Sequence, residues 1–356
     1  MVQASPLNQT DCRYCSVVSK AKCEDPIGSA IVADQWLLIE TPRPWGENPW
    51  EKQPDFASAL AVLDRVKPSM ALWDSLRVQA IAPDLQYSQP GYVHVFYYQR
   101  PAAQFSNYEK QAYCLPLEDV ATLLEALLFE PQNLVSFAPH QRNATHLREI
   151  LVCTHTQVDL ACGRFGMPLY KELKRDYANI QTLRVWQTSH FGGHRFAPTL
   201  IDFPSGRFWG HLESQHLEAL VHHRGDLDGL QKCYRGWSGF SRWEQMAERE
   251  VWKQLGWHWL ECDRSGEVLS LTLGSLSKQL LYTILRRLPG QFARNLRQKL
   301  ASQAIRASVK LNFNNCLSQD SIFEVNLSQI DSIDTPEKSS EESSKPRPQY
   351  TASLLE

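Results

Sequence analysis

The chain has 356 residues, of which 43% are hydrophobic and 21% are charged, which is sufficient for two globular domains of ordinary size. Its formal charge of −2 argues against a general nucleic-acid-binding or membrane-coating protein. The first residues contain no basic or apolar segment typical of a signal peptide, and no apolar run reaches the roughly 18 residues that span a bilayer. We therefore expect a soluble, cytoplasmic protein without a transmembrane segment and without nucleic-acid binding.

Strands and helices alternate in the first part of the chain. The patterns predict a strand over 27–41, a helix over 55–77 with a break at Pro68, a buried strand over 91–99 and a helix over 115–129. This alternation indicates an N-terminal α/β domain over residues 1–146.

A second α/β unit begins near residue 147. The apolar run 150–152 predicts a buried strand that carries Cys153 at its tip. The polar segment 154–161 then reads as a loop that closes on Cys162, and a helix follows with Pro168 in its first turn. Further along, the pattern predicts a strand over 183–190, a hairpin with its turn at 204–206, and helices at 214–223 and about 241–255.

The last hundred residues have an uneven charge distribution. We expect a C-terminal extension over 261–330 with a basic helical segment, because residues 275–310 contain eight Lys or Arg and no acidic residue. A solvated helix face is the favoured interpretation, and docking to an acidic redox partner or to anionic lipid is the alternative. The segment 331–356 is rich in Ser, Glu and Pro and is predicted to be disordered. No internal repeat is visible.

Four side chains with metal-binding chemistry follow two of the predicted strands. Cys153 and Cys162 form a C-x₈-C pair, and His190 and His194 form an H-x₃-H pair around two glycines. Glycine disfavours a helix, so the histidines are expected to project from a loop, as the cysteines are from the polar segment 154–161. Two thiolates and two imidazoles suffice for a tetrahedral zinc ion or for the two irons of a [2Fe–2S] cluster. The spacing favours the cluster only slightly, because a gap of eight residues is long for two cysteines that bind one zinc ion.

The block CTHTQVDLACGRFGMPLY, followed by VWQTSHFGGHRFAPTLIDFPSGRFWGHL, resembles the sucrase/ferredoxin-like family. The opening CSVVSKAKCEDPIGSAIVADQWLLIETPRPW is similar to the start of that family. The resemblance implies a thioredoxin-like ferredoxin domain over 147–260 and an N-terminal α/β domain for which a thioredoxin-like plan is one option. It does not support glycosidase chemistry, since no carboxylate pair is set out for that reaction.

The resemblance further implies a [2Fe–2S] cluster bound by Cys153, Cys162, His190 and His194. The protein would then be a one-electron carrier rather than a substrate-transforming enzyme, and it would exchange electrons with a redox partner protein. Neutral imidazoles in place of two thiolates make reduction easier, and we expect the midpoint potential to fall as pH rises.

Two functions of other classes stay open at this point. A zinc-stabilised interaction module could use the same four ligands. A dithiol oxidoreductase could use Cys12 and Cys15, with Cys23 nearby, although no strand precedes this C-x-x-C pair as such a site requires.

For the remaining candidate residues, the sequence favours a structural or surface role over a functional one. His155 could compete as a ligand, but an ordinary hydrogen-bonding or exposed histidine is favoured. Arg164 and Arg195 could supply positive charge near the site, or simply face solvent. Surface positions are expected for His211, His222 and His223, and core positions for Cys114, Cys233, Cys262 and Cys316.

Overall fold

The computed structural model describes residues 14–51, 53–66, 75–225, 227–288, 291–314, 320–339 and 343–355. These residues form a nine-stranded mixed sheet and a four-stranded antiparallel sheet, with helices packed against both. The predicted α/β class is therefore confirmed. The predicted break at Pro68, together with Cys12 and Cys316, lies outside the described residues.

The N-terminal half contributes four strands to the large sheet. A short helix, α1 (Cys15–Ala21), comes first. It is followed by β1 (Gln35–Glu40), α2 (Ala57–Asp64), β2 (Leu76–Ile81), β3 (Tyr92–Gln99), β4 (Glu109–Pro116) and α3 (Val120–Leu128). Strand β1 pairs in parallel with β2 and antiparallel with β3, and β3 pairs antiparallel with β4. The order β4-β3-β1-β2 is that of a thioredoxin-like fold.

The C-terminal half repeats the same plan. It contains β5 (Arg148–Cys153), α4 (Leu160–Asp176), β6 (Leu183–Thr188), β7 (Leu200–Phe203), β8 (Arg207–Trp209), α5 (Ser214–His222), α6 (Asp228–Gln231), β9 (Tyr234–Trp237) and α7 (Arg242–Leu255). Counted from β8, its strand order is β8-β7-β5-β6, which corresponds to β4-β3-β1-β2 in the first half. The strand directions also match, and β9 is added at the edge beside β8. Within the sheet, the two halves join where β2 lies beside β6, with Ile81 paired to Thr188. The duplication is visible in the topology, although no repeat is visible in the sequence.

Strand β1 lies between two hydrophobic cores. Its residues Leu37 and Ile39 face a core with α2 and α3, whereas Trp36 and Leu38 face the core of the C-terminal half. A strand covered on both faces has no exposed side, which explains its continuous apolar run. The predicted strand over 27–41 is too long, because residues 29, 30 and 33 hydrogen-bond through their backbone to the chain around β9 instead.

The small sheet follows α7 and lies at the C-terminal end of the chain. It consists of β10 (Asp263–Leu273), β11 (Ala304–Asn314), β12 (Ser321–Pro336) and β13 (Ser344–Leu354), all antiparallel. Between β10 and β11 run two helices, α8 (Leu276–Leu285) and α9 (Gln291–Ala301). One face of the sheet packs against α7.

The end of the chain differs from the predicted disordered tail over 331–356. Residues 331–336 complete β12, and residues 344–354 form β13, which pairs with β12 over most of its length. The composition predicted disorder because few apolar residues can be buried there. Backbone hydrogen bonds between β12 and β13 order the segment instead, and such pairing leaves no signal in local composition.

Short 3₁₀ segments connect several of these elements. They span Pro54–Phe56, Leu117–Asp119, Pro131–His140, His194–Phe196 and Gly256–Leu260. Among the described helices, none is both long and apolar enough to cross a bilayer.

Candidate metal centre

Cys153 and Cys162 are brought together by the contact between a strand tip and a helix start. Cys153 is the last residue of β5, and Cys162 lies in the first turn of α4 rather than at the end of a loop. The predicted helix start after Cys162 is therefore too late. Asp159 caps the helix, accepting a hydrogen bond from the backbone N–H of Ala161 at 2.8 Å, and this begins the helix before the second cysteine.

Gly166 allows the helix to pass directly against the strand. A Cβ atom at this position would lie 2.0 Å from the backbone oxygen of Cys153, which is closer than any side chain tolerates. Only glycine therefore fits at this point, and Pro168 lies inside the helix rather than in its first turn. Both cysteine side chains are buried as a result.

The loop after β6 places His190 beside both sulfurs. Gly192 and Gly193 adopt left-handed backbone angles, with φ of 83° and 78°, and turn the loop as the glycine pair predicted. The Nδ1 atom of His190 lies 3.9 Å from Sγ of Cys153 and 3.6 Å from Sγ of Cys162. The three donor atoms lie within 4.8 Å of one another.

His194 lies next to this group but points elsewhere. Its ring centre is 5.5 Å from that of His190, and its Nδ1 atom faces Sγ of Cys15 at 3.2 Å and Oδ2 of Asp159 at 3.3 Å. The structure thus brings three of the four predicted ligands together and places the fourth in a second donor group, Cys15, Asp159 and His194. Sequence reasoning missed Asp159, whose only signal is its place just before a helix.

The second donor group is covered by the C-terminal sheet. Ser339, in the loop after β12, donates from its backbone N–H and its hydroxyl to Asp159, at 2.8 and 2.7 Å. Burial opposes ionisation of Asp159, but these hydrogen bonds and the one from Ala161 outweigh it and lower the pKa of the carboxyl. Cys15 is fully buried, and this burial raises the pKa of its thiol to about 12.

The pKa values of the two central cysteines shift in opposite directions. Burial alone would raise the pKa of Cys153, but hydrogen bonds from Cys162 and His190 lower it well below its usual value. The pKa of Cys162 is raised well above its usual value because its thiol donates to Cys153 and is itself buried. These contacts favour the thiolate form of Cys153 over that of Cys162, and a thiolate is the form of cysteine that binds a metal.

Arg235 on β9 supplies a buried positive charge behind the histidine loop. Its guanidinium donates to the backbone oxygens of Gly192 and Ser29, at 3.1 and 2.8 Å, and to the Ser29 hydroxyl at 3.1 Å. Burial lowers the pKa of Arg235 to about 9, and the two cysteine sulfurs partly oppose that shift. The arginine is therefore still cationic at neutral pH, and it stabilises negative charge on the sulfurs.

The arginines proposed from the sequence play smaller roles. Arg164 is exposed, and Arg195 forms an ion pair with the buried Glu24 at 2.7 Å. Arg235 was missed because its strand lies 41 residues after His194, and only the fold brings it beneath the loop.

His155 positions the histidine loop instead of facing the sulfurs. Its Nε2 atom is 2.6 Å from the backbone oxygen of Gly46, and its Nδ1 atom accepts from the backbone N–H of His190 at 3.2 Å. These partners require a neutral ring protonated at Nε2, and burial lowers the pKa of His155 in agreement. The favoured interpretation, a hydrogen-bonding histidine, matches these contacts.

The other predicted residues divide between the core and the surface. The predicted surface position of His211 is wrong, because the residue is buried and its Nε2 atom lies 3.2 Å from the Ser19 hydroxyl. A histidine ring can be buried when one nitrogen finds such a partner. His222 and His223 are exposed as predicted. Core positions are occupied by Cys114, Cys233 and Cys262, whereas Cys23 is exposed.

Comparison with known proteins identifies the family. The model of the sucrase/ferredoxin-like family matches residues 26–236. The chain belongs to the sucrase/ferredoxin-like family. The matched region contains both thioredoxin-like halves up to the beginning of β9, and with them Cys153, Cys162, His190 and His194.

Two curated relatives come from yeasts, and both are named "Altered inheritance of mitochondria protein 32". The protein from Clavispora lusitaniae is 27% identical over 141 residues, covering 35% of this chain and 50% of the relative. The protein from Debaryomyces hansenii is 30% identical over 96 residues, covering 24% of this chain and 34% of the relative. The matches thus span half or less of the relatives' length. No solved structure matches the chain.

Proposed function

We propose that the protein is a one-electron carrier that holds a [2Fe–2S] cluster on Cys153, Cys162, His190 and His194. The observation that supports this most is the convergence of two buried sulfurs and the His190 imidazole within 4.8 Å, in a chain of the sucrase/ferredoxin-like family. The donor set fits such a cluster, because thiolate and imidazole are the ligands of Rieske-type centres.

When bound, the cluster would supply reversible one-electron chemistry, at a potential above the roughly −400 mV of all-cysteine plant-type ferredoxins. The chain's own residues would hold and tune it. Cys153 and Cys162 provide the anionic ligands, and Arg235 compensates their charge from beneath the loop. His155 fixes the backbone of His190, so that its ring stays directed at the sulfurs.

His194 would complete the ligand set from the same loop. In the structure its Nδ1 atom faces Asp159, which can orient the ring by accepting its N–H. A carboxylate in that position is the usual device that fixes the tautomer of a metal-binding histidine. Asp159 is therefore a positioning residue in this proposal.

One observation favours a second candidate, a zinc-stabilised interaction module. With zinc–sulfur bonds of about 2.3 Å and zinc–nitrogen bonds of about 2.0 Å, a tetrahedral ion separates sulfur and nitrogen by roughly 3.5 Å. The distances from His190 to the two sulfurs, 3.6 and 3.9 Å, are close to this value.

Metal analysis separates the two candidates. Iron, zinc and acid-labile sulfide are measured on anaerobically purified full-length protein, together with its visible spectrum. The cluster proposal predicts about two irons and two sulfides per chain and a red-brown colour. Cys153→Ser and His190→Ala should both lose the colour, whereas Cys114→Ser, a buried cysteine away from the site, should keep it. One zinc without sulfide would refute the electron carrier and support the zinc module.

The redox partner and the cytoplasmic location stay predictions. The relatives' printed name concerns the inheritance of mitochondria, so the proposal extends to a role connected with that organelle. Imaging of the tagged full-length protein beside a mitochondrial marker tests this, and a purely cytosolic distribution would contradict a resident mitochondrial role.

A further inference from the structure

Helix α8 exposes a stripe of large apolar side chains. Leu276, Leu280 and Ile284 follow one another at four-residue intervals and are 90%, 63% and 49% exposed. Leu281 and Leu288, beside this stripe, are also exposed. At 100° per residue, the four exposed apolar residues of the helix itself lie within an arc of about 140°.

The stripe is separate from the side of the helix that the protein buries. Leu285 is buried and Tyr282 is half-buried, and α8 contacts β10 and α9. The helix thus has one apolar side packed on its own sheet and another that faces solvent. A solvated helix face, the interpretation favoured from the sequence, would be polar on that second side.

Positive charge is concentrated on this part of the surface. Lys278, Arg286 and Arg287 on and after α8 are exposed, as are Lys299 and Arg306 on the neighbouring segments. The segment 275–310 carries eight positive charges and no negative one, whereas the whole chain carries −2, so the rest of the chain carries −10. The charge of this surface is therefore opposite to that of the remaining molecule.

We propose that α8 docks the protein onto an anionic membrane surface. Leu276, Leu280 and Ile284 enter the boundary between headgroups and acyl chains, while Arg287, which lies on the same side of the helix, binds lipid phosphate. A bilayer surface offers hydrocarbon and negative charge in one plane, which is the combination that this helix presents. The helix lies along the surface, so the docking needs no membrane-spanning segment.

The test measures cosedimentation of the full-length protein with two kinds of vesicle. One contains phosphatidylcholine alone, and the other contains about 30% phosphatidylglycerol. We expect binding to the anionic vesicles only, with a loss of binding when salt rises from about 0.05 M to about 0.5 M. The double variant Leu280→Glu/Ile284→Glu should weaken binding at least tenfold, because it places two negative charges in the apolar stripe.

Ile322→Glu/Ile330→Glu serves as the matched control. These two isoleucines on β12 are 62% and 67% exposed, against 63% and 49% for Leu280 and Ile284, so the control changes the same number of exposed apolar residues and the same charge. It should bind anionic vesicles like the unchanged protein, apart from the small loss that two added charges cause at a distance. Circular dichroism confirms that both variants are folded.

Three results would overturn the proposal. Binding that is equal for both vesicle types, or absent from both, would exclude an anionic membrane as the partner. Salt-sensitive binding to polyglutamate without vesicle binding would assign the surface to an acidic protein. A change of oligomeric state in Leu280→Glu/Ile284→Glu, without vesicle binding by the unchanged protein, would assign the stripe to contact between copies of the chain.

Discussion

Replacing Gly193 by alanine should damage the histidine loop far more than the same change at Gly91. Both glycines have a φ of 78°, so an added Cβ imposes the same backbone strain, about 1–2 kcal/mol. Their surroundings differ. Around Gly91 an added Cβ meets nothing within 4 Å, whereas at Gly193 it lies 2.3 Å from Nη2 of Arg235.

The extra cost at Gly193 comes from moving a buried cation. The Arg235 guanidinium must shift and lose at least one of its bonds to Ser29 and Gly192, and each hydrogen bond to a charged group contributes about 1.5–3 kcal/mol. With one bond lost, the strain and the bond together should lower the free energy of unfolding of Gly193→Ala by about 2.5–5 kcal/mol, against about 1–2 kcal/mol for Gly91→Ala.

Urea unfolding of the metal-free proteins, followed by circular dichroism and tryptophan fluorescence, measures both losses independently of any cofactor. If the two variants lose the same stability within about 0.5 kcal/mol, Arg235 does not support the loop as the geometry indicates.

Three further predictions concern Arg235, Cys15 and His211. Arg235→Met should lower the reduction potential of the proposed cluster by on the order of tens of millivolts, because a buried positive charge favours the added electron. Spectroelectrochemistry measures this potential, and an unchanged value would show that the charge of Arg235 has no effect on the site. Cys15, buried and with a pKa of about 12, should react with iodoacetamide at pH 8 far more slowly than the exposed Cys23, and equal rates by mass spectrometry would contradict that environment. Burial lowers the pKa of His211 to about 3, against about 6.5 in the unfolded chain. Between these two pH values the unfolded chain binds more protons than the folded one, so the free energy of unfolding falls by about 1.4 kcal/mol for each pH unit toward acid. His211→Gln should flatten that slope in urea unfolding between pH 6.5 and 4, and an unchanged slope would assign the acid sensitivity to other groups.

The sequence predicted the individual elements around the site because their signals are local. The run before Cys153 is a buried strand, and the glycine pair at 192 and 193 turns a loop, as periodicity and glycine conformational freedom indicated. The helices at 214–222 and 242–255 likewise begin and end close to their predicted limits. Each of these features depends on neighbours within a few residues.

What the sequence did not predict depends on contacts between distant residues. The His194 ring is directed by Asp159 and Cys15, which precede it by 35 and 179 residues. The loop between β12 and β13 contacts Asp159, which lies 180 residues earlier in the chain. No local pattern encodes such a contact. The repeated strand order of the two halves is hidden for a similar reason, since different apolar residues can fill equivalent core positions.

Pulsed EPR of the reduced full-length protein, with histidine labelled with ¹⁵N, tests the ligand assignment most directly. The account predicts a paramagnetic iron–sulfur centre strongly coupled to two histidine nitrogens, one of which disappears in His190→Cys while the cluster is retained. A reduced cluster without histidine coupling, or a reduced protein without any such signal, would contradict the assignment of His190 and His194 as ligands.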